Sequence, residues 1–441
     1  MIDRSADWVA EGAGGRLLAG DPGTAGPGRA VIDTREIRAG DLFAGLRGER
    51  ADGGDFAVDA LEAGAWGVLV APEHAERAAA RGQGDVVIAA ADPLAALQSL
   101  ARAWRHEIGA KVIGVTGSTG KTSTKDILAV LLAPHLRTHF NDQNLNTEIG
   151  LPLTILAAPP DTEALVLEMA MRGEGQIAAL TAIAEPDVGV IVNVGPVHLE
   201  LLGTVERVAA AKAELVRDLA PGAACVVPVA EPLLDPHLRD DLETITFGPG
   251  GDVTLLSLRD GRAEIEARGK PVALELSYAE PHNLLNTLAA VAAAMSIGVR
   301  PGGRVAPAFS SMRGEVVELA GGVTVVNDCY NANPMSMRAA LKHLAETPAD
   351  RRVAVLGTMA ELGGDSERFH REIGQEAAEL GIDALITVGE PATAYADSFD
   401  GEAYSTGEPE EAGALLSEIV LPGDRVLIKG SRSVGLERVL S

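Results

Sequence analysis

Lys121 and Thr122 stand near the end of the run Gly114-Val-Thr-Gly-Ser-Thr-Gly-Lys-Thr-Ser123, whose residue types and spacing suit the holding of phosphate. The run follows an apolar strand, Val112-Ile-Gly-Val115, and opens a helix expected over Ser123 to Leu132. Gly117 and Gly120 let the backbone bend so that the N–H groups of Ser118, Thr119 and their neighbours converge where the helix N-terminus adds partial positive charge. Lys121 supplies a full charge for the outer phosphates, and the Thr122 hydroxyl is placed to ligate Mg²⁺. Val115 occupies the place of the first glycine in the strict Walker spacing, so the match is to the shorter Thr-Gly-x-x-Gly-Lys-Thr form. A glycine-rich turn with a chance Lys-Thr is the bland alternative, and the strand–loop–helix setting weighs against it. The expected ligand is a nucleoside triphosphate.

Three further groups could add chemistry. Glu168 ends the apolar strand Ala164-Leu-Val-Leu167, and His198 lies just past the strand Val188-Gly-Val-Ile-Val192. In an open parallel sheet ligands collect at the carboxyl ends of strands, so both could reach Mg²⁺ beside the phosphate loop, although imidazole is an unusual ligand for so hard an ion. A capping Glu and a loop His are the plain alternatives. Lys212 falls near the centre of an apolar stripe on a helix expected over Thr204 to Ala220, among Val205, Val208, Ala209, Leu215, Val216 and Leu219; Glu206, Arg207, Glu214, Arg217 and Asp218 are assigned to the opposite face. Such a lysine must snorkel out, meet an anion or lose its proton, and the pattern alone favours snorkelling. The cluster Asn327-Asp-Cys-Tyr-Asn-Ala-Asn-Pro334 is rich in side-chain amides, as a simple Asx turn would also be.

The elements that must position these groups form three αβ-rich segments. The first has strands near Leu42–Leu46, Trp66–Val70 and Asp85–Ala89, with a helical stretch from Gly54 to Ala63. The second opens after the turn Ala91-Asp-Pro93 with a helix from Leu94 to Ile108. It alternates strands and helices as a mostly parallel sheet requires. Within it, Val226 to Ala273 is expected to carry antiparallel strands, before an Ala-rich helix from Pro281. The third repeats the pattern with strands at Val323–Val326, Arg352–Leu356, Ala384–Val388 and Arg425–Ile428. Boundaries are expected near residues 91 and 312. With 37 Lys+Arg against 63 Asp+Glu, the net charge of −26 argues against nucleic acid or an anionic membrane as partner. Two cysteines give neither a disulfide framework nor metal-ligand spacing, and no apolar run is long enough to span a bilayer, so a reducing cytoplasm is the expected location.

Taken together these blocks resemble the Mur ligases, the ATP-dependent ligases that build the peptidoglycan stem peptide. The likeness runs from about Asp33 to Arg438. Its markers are the phosphate loop, Asn144-Leu-Asn-Thr-Glu-Ile-Gly-Leu-Pro152, Tyr330-Asn-Ala-Asn-Pro334, Leu356-Gly-Thr-Met-Ala-Glu-Leu-Gly363 and Lys429-Gly-Ser-Arg432. They match best the member that adds the final dipeptide; the Asp-Asn-Pro-Arg block of the tripeptide-forming relative is missing. The resemblance implies an α/β fold in three domains: a small α/β N-terminal domain over 1–91, a central P-loop-type domain with a mostly parallel sheet over 92–312, and a Rossmann-like C-terminal domain over 313–441.

It also implies roles for individual residues. Lys121 holds the β/γ-phosphates, Thr122 and Glu168 bind one Mg²⁺, and His198 binds a second. Lys212 matches the family lysine that reacts with CO₂ to give a carbamate facing that second ion. Asn283, Asn286, Arg313, Asp328, Tyr330 and Asn331 match positions that bind adenine, ribose or phosphates. Thr34-Arg35 matches the loop that receives UDP; Asn144, Asn146 and Thr147 lie in a substrate block; Asn333, Lys429 and Ser431 are candidates for the incoming amine. The implied reaction joins D-alanyl-D-alanine to UDP-N-acetylmuramoyl-tripeptide through an acyl phosphate, in a monomer. Rival readings are another amide ligase of the superfamily, an ATP-binding regulatory protein with lapsed chemistry, and a simple kinase. The chain departs from the family pattern at Ala170 (usually Gly), Thr358 (acidic), Gly54 (often His) and Asn327 (often Asp).

Overall fold

The computed structural model describes residues 4–142, 144–309, 312–319 and 321–440. Three sheets follow one another along the chain. The first has five strands in the spatial order Arg16–Ala19, Val86–Ala89, Gly67–Val70, Leu42–Ala44, Ala30–Val31. All pairs are parallel except the one made by Arg16–Ala19. Its inner strands are buried along their whole length, and so read in sequence as unbroken apolar runs.

Helix Pro93–Ile108 joins this sheet to the next. Asp92 caps it by accepting from the N–H groups of Leu94 and Ala95 (3.0 and 3.1 Å), Pro93 occupies its first turn, and Gly109 ends it in left-handed geometry (φ 63°). Trp104, fully buried on its inner face, donates Nε1–H to the Ala158 carbonyl at 3.0 Å and meets Trp8 edge to face. One helix thus packs against both the N-terminal and central segments.

The central sheet has ten strands, and its order explains where a ligand must go. Strand Lys111–Thr116 lies between Ala164–Glu168 and Val188–Ile191, all parallel. The chain leaves the first by helix Lys121–Leu132, forms the edge strand Thr138–Phe140, returns to Ala164–Glu168, and then crosses to Val188–Ile191 on the other side. The crevice at the carboxyl end of Lys111–Thr116 is therefore a topological switch point. Beyond it, Ala224–Pro228 and Glu243–Phe247 extend the parallel run. This corrects the expectation of antiparallel strands from Val226 on: antiparallel pairing starts only at Val253–Arg259 and continues through Arg262–Ala267 and Lys270–Leu276. There the exposed/buried alternation of Arg262–Ala267 shows a sheet wetted on one face.

The third sheet is ordered Glu315–Leu319, Val323–Asn327, Asp424–Lys429, Arg351–Gly357, Ala384–Val388, Glu402–Thr406, parallel except for its first strand. Among the described residues no helix is long and apolar enough to cross a membrane.

Candidate active site

The phosphate loop is held in shape by the segment that follows the neighbouring strand Val188–Ile191. Thr119 N–H donates to Asn193 Oδ1 (2.9 Å), Asn193 Nδ2 returns a bond to Thr119 Oγ1 (2.9 Å), and Ser118 Oγ bonds both the carbonyl and the N–H of Gly195 (3.1 and 2.9 Å). Gly120 sits at φ 74°, and a Cβ there would lie 2.5 Å from Asn286 Oδ1, so backbone geometry and space both demand glycine. The helix begins at Lys121, two residues earlier than expected, and no side chain caps it. Its first N–H groups are thereby left to a ligand. Lys121 Nζ rests on the Gly117 carbonyl (2.8 Å). Desolvation pulls its pKa below the ordinary lysine value, with Glu168 opposing and Arg313 adding to the effect.

Glu168 is buried and aimed at this loop. Its Oε2 accepts from Thr122 Oγ1 (2.7 Å) and its Oε1 from Asn146 Nδ2 (2.8 Å). Asn141, fully buried, grips the Glu168 backbone by accepting from its N–H (2.8 Å) and donating to its carbonyl (3.0 Å). The Asn141 carbonyl in turn takes a bond from buried Lys125 (2.8 Å). Among the described residues no group of three or more His, Cys, Asp and Glu could cage a metal. One carboxylate and one hydroxyl fit Mg²⁺, which keeps waters and takes substrate phosphates as its remaining ligands.

Lys212 does not snorkel. It is 2% exposed on helix Val205–Asp218, and its amine makes no hydrogen bond or ion pair among the described residues. Burial, and then the charge of Lys121, push its pKa well below 10.5. A buried amine without a partner, in the field of a second lysine, is a site that gains from becoming an anion. Glu214 also departs from its expected polar face. It is buried and accepts from the N–H groups of Gly175 (2.5 Å) and Ala178 (3.0 Å), at the start of helix Gln176–Ala184. His198 Nδ1 pairs with the carboxylate of Glu361, which arrives from the C-terminal segment. That hydrogen bond, against opposing desolvation, holds the Glu361 carboxyl below its usual range, with Arg172 assisting at 3.5 Å.

A cavity of about 1150 Å³ lies between the central and C-terminal sheets. Of the residues singled out in sequence, Ser118, Thr119, Gly120, Lys121, Thr122, Ser123, Glu168, His198, Asn283, Asn286, Arg313, Asp328, Tyr330 and Asn331 line it, as do Asn144, Asn146, Thr147, Asn333 and Lys429. Gly117 and Lys212 are not among its lining residues. The Arg313 guanidinium lies 4.1 Å from the centre of the Tyr330 ring. The candidates for the amine are less free than their residue types suggest. Lys429 is buried, paired with Asp328 (2.6 Å) and bonded to the Asn331 carbonyl (3.0 Å). Asn333 caps helix Pro334–Glu346 in a reciprocal box with Ser336. Ser431 is buried off the cavity, its hydroxyl taken by the Ala360 N–H (2.9 Å).

Thr34 and Arg35 are not brought to this cavity. Arg35 is 87% exposed and pairs with Asp33 in the N-terminal segment. In the same N-terminal segment, a Cβ on Gly54 would come 2.3 Å from the buried His74 ring, so that position accepts no side chain unless His74 moves. Sequence reasoning missed Asn141, Asn193, Glu361 and His282, the last a cavity residue whose imidazole burial pushes down in pKa. Only Asn193, directly after an apolar strand, carried a usable signal.

The fold recurs in known proteins. Three family descriptions match the chain: "Mur ligase family, catalytic domain" over 30–105, "Mur ligase middle domain" over 115–294 and "Mur ligase, glutamate ligase domain" over 312–432. The chain belongs to the Mur ligase family. Within it, the UDP-N-acetylmuramoyl-tripeptide–D-alanyl-D-alanine ligase of Bacillus subtilis is 35% identical, over 93% of this chain and 92% of the relative. Among solved structures, MurF of Acinetobacter baumannii superposes with a TM-score of 0.87 at 27% identity, covering 99% of this chain and 98% of that one. The MurF ligase of Thermotoga maritima in complex with ADP gives 0.82 at 34% identity, over 93% and 96%.

Proposed function

We propose that this chain joins D-alanyl-D-alanine to UDP-N-acetylmuramoyl-tripeptide at the expense of ATP, in peptidoglycan precursor synthesis and thereby in cell shape and division. The observation that carries this is near-full-length similarity to ligases of that name, together with a phosphate loop opening on a cavity large enough for several ligands. In the first step the tripeptide carboxylate attacks the γ-phosphorus of ATP, giving an acyl phosphate and ADP. In the second the dipeptide amine attacks the acyl carbon, inorganic phosphate leaves, and the amine gives up a proton as the amide forms.

The chain's residues divide this work. Lys121 and the uncapped helix start hold the β- and γ-phosphates, and Asn193 and Ser118 keep the loop from relaxing. Thr122 and Glu168 would hold one Mg²⁺, His198 a second, and carbamylated Lys212 would face it. Magnesium, when bound, neutralises charge on the transferring phosphoryl group. Asn283, Asn286, Arg313 and Tyr330 surround the nucleotide, and Asp328 and Lys429 fix the shape of the loop that carries Asn331. Residues 1–91 would take the UDP end through Thr34 and Arg35, 92–312 the ATP, and 313–441 the dipeptide, in a monomer of the cytoplasm. The test is product analysis with both substrates, ATP and Mg²⁺. The tripeptide nucleotide should gain the mass of the dipeptide less one water, with one phosphate released per product. A phosphorylated tripeptide as the stable product would instead make the chain a kinase.

A further inference from the structure

The segment from Asn193 to His198 is held from two sides. On one it is bonded to the phosphate loop through Asn193 and Gly195. On the other it carries the C-terminal segment: the Met335 thioether lies so close over Gly195 that a Cβ there would fall 1.8 Å from Sδ. Glu361 contacts His198 Nδ1 through its carboxylate and accepts from Glu200 N–H through its backbone carbonyl (3.1 Å). Gly363 passes close enough that a Cβ on it would lie 3.0 Å from Glu200 Cα. His198 (φ 53°) and Glu361 (φ 62°) both hold left-handed backbone, which residues other than glycine rarely adopt. Such outliers persist only where their surroundings over-determine them, and they cluster at functional sites.

An imidazole whose Nδ1–H is given to a carboxylate has its lone pair on Nε2. Histidine ligands of metals are oriented in this way by a partner that is not itself a ligand. His198 lines the cavity, and its Nδ1 is the atom that Glu361 engages. We propose that Glu361 is a positioning residue: seated with the C-terminal segment, it fixes His198 as the Nδ1–H tautomer and so presents Nε2 to the cavity. The nitrogen is then in place only when the two segments are docked, which ties readiness of the site to closure. This rests on the reading of His198 as a ligand of the second Mg²⁺ only for its consequence in catalysis; the hold on the ring stands apart from it.

The experiment uses the full chain with ¹⁵N-labelled histidine, the His198 signals being assigned by their loss in His198→Gln. In metal-free protein the wild type should show His198 with its proton on Nδ1. Glu361→Ala should move the population toward the Nε2–H form, while Glu361→Gln, whose amide oxygen can still accept, should keep the wild-type tautomer. In turnover, Glu361→Ala should raise the Mg²⁺ concentration for half-maximal rate by about tenfold or more, with much of the rate recovered at saturating Mg²⁺. Glu361→Gln should stay near wild type on both readouts. An unchanged tautomer in Glu361→Ala overturns the proposal. A changed tautomer with an unchanged Mg²⁺ requirement supports the hold on the ring and overturns instead the reading of His198 as a ligand.

Discussion

Two helices start at the same cavity and end their chains of hydrogen bonds in opposite ways. Lys121–Leu132 begins behind Gly120 with no side-chain cap, its phosphate loop tied down from outside by Asn193 and Gly195. Pro334–Glu346 begins behind Asn333, with a reciprocal box and a proline in its first turn. A capped N-terminus has met its own need for acceptors and stabilises the fold; an uncapped one keeps that need for an anion. The same contrast separates the two lysines at either rim. Lys429 is neutralised by Asp328, whereas Lys121 leans on a single carbonyl. Polar density alone does not mark the chemistry; unspent hydrogen-bonding capacity does.

The contrast breaks most visibly at Lys121. Lys121→Ala should cut turnover by about 10²–10³, since it removes a full positive charge at the uncapped helix start. Its melting temperature should stay near wild type. Wild-type turnover at saturating ATP would remove the phosphate loop from the mechanism. Lys212→Ala should also lose most activity, but acetate or formate should restore part of it, and Lys212→Arg should not help because it puts back a cation where an anion is needed.

Lys212 gives a stability test as well. Its folded pKa lies well below 10.5, so between the two values the unfolded chain binds the extra proton. That penalises the fold at neutral pH and fades as pH rises through about 10.5. In CO₂-free buffer Lys212→Met should therefore be more stable than wild type at pH 8, by on the order of 1 kcal/mol, with the gap closing at higher pH. Equal stability at pH 8 would mean that the amine is not held neutral.

The capped side should respond in stability rather than rate. Lys429→Met strips Asp328 of its partner and should cost about 2 kcal/mol, less than a fully buried pair because Asp328 keeps some water contact. Asn333→Ala should cost about 1 kcal/mol through loss of the cap. Chemical denaturation measures both. A large fall in affinity for the dipeptide with no loss of stability would return Asn333 to the substrate site.

How much could be read beforehand follows from where each signal lies. Gly67–Val70, Ala164–Glu168 and Ala384–Val388 are buried throughout, and such strands announce themselves as apolar runs. Edge strands such as Arg16–Ala19 and Glu402–Thr406 are half wet and short of that signal, and they were not foreseen. The parallel pairing of Glu243–Phe247 was missed because its first residues are exposed. The place of Lys212 in the stripe was legible from helical period alone, but the same pattern favoured snorkelling, whereas the amine is buried. Glu214 was not legible: its burial is set by another helix, whose first turn it caps. Asn141 and Glu361 act on partners 27 and 163 residues away, where no local pattern reaches.

The central claim is that the phosphate loop transfers the γ-phosphoryl group to the tripeptide carboxylate before the amine arrives. Isotope transfer tests it most directly, with the terminal carboxylate of the tripeptide labelled with ¹⁸O and the reaction run to completion with ATP and D-alanyl-D-alanine. One labelled oxygen should appear in inorganic phosphate and none in ADP. Phosphate free of label, or label in AMP, would contradict the acyl-phosphate route and with it the role given to Lys121.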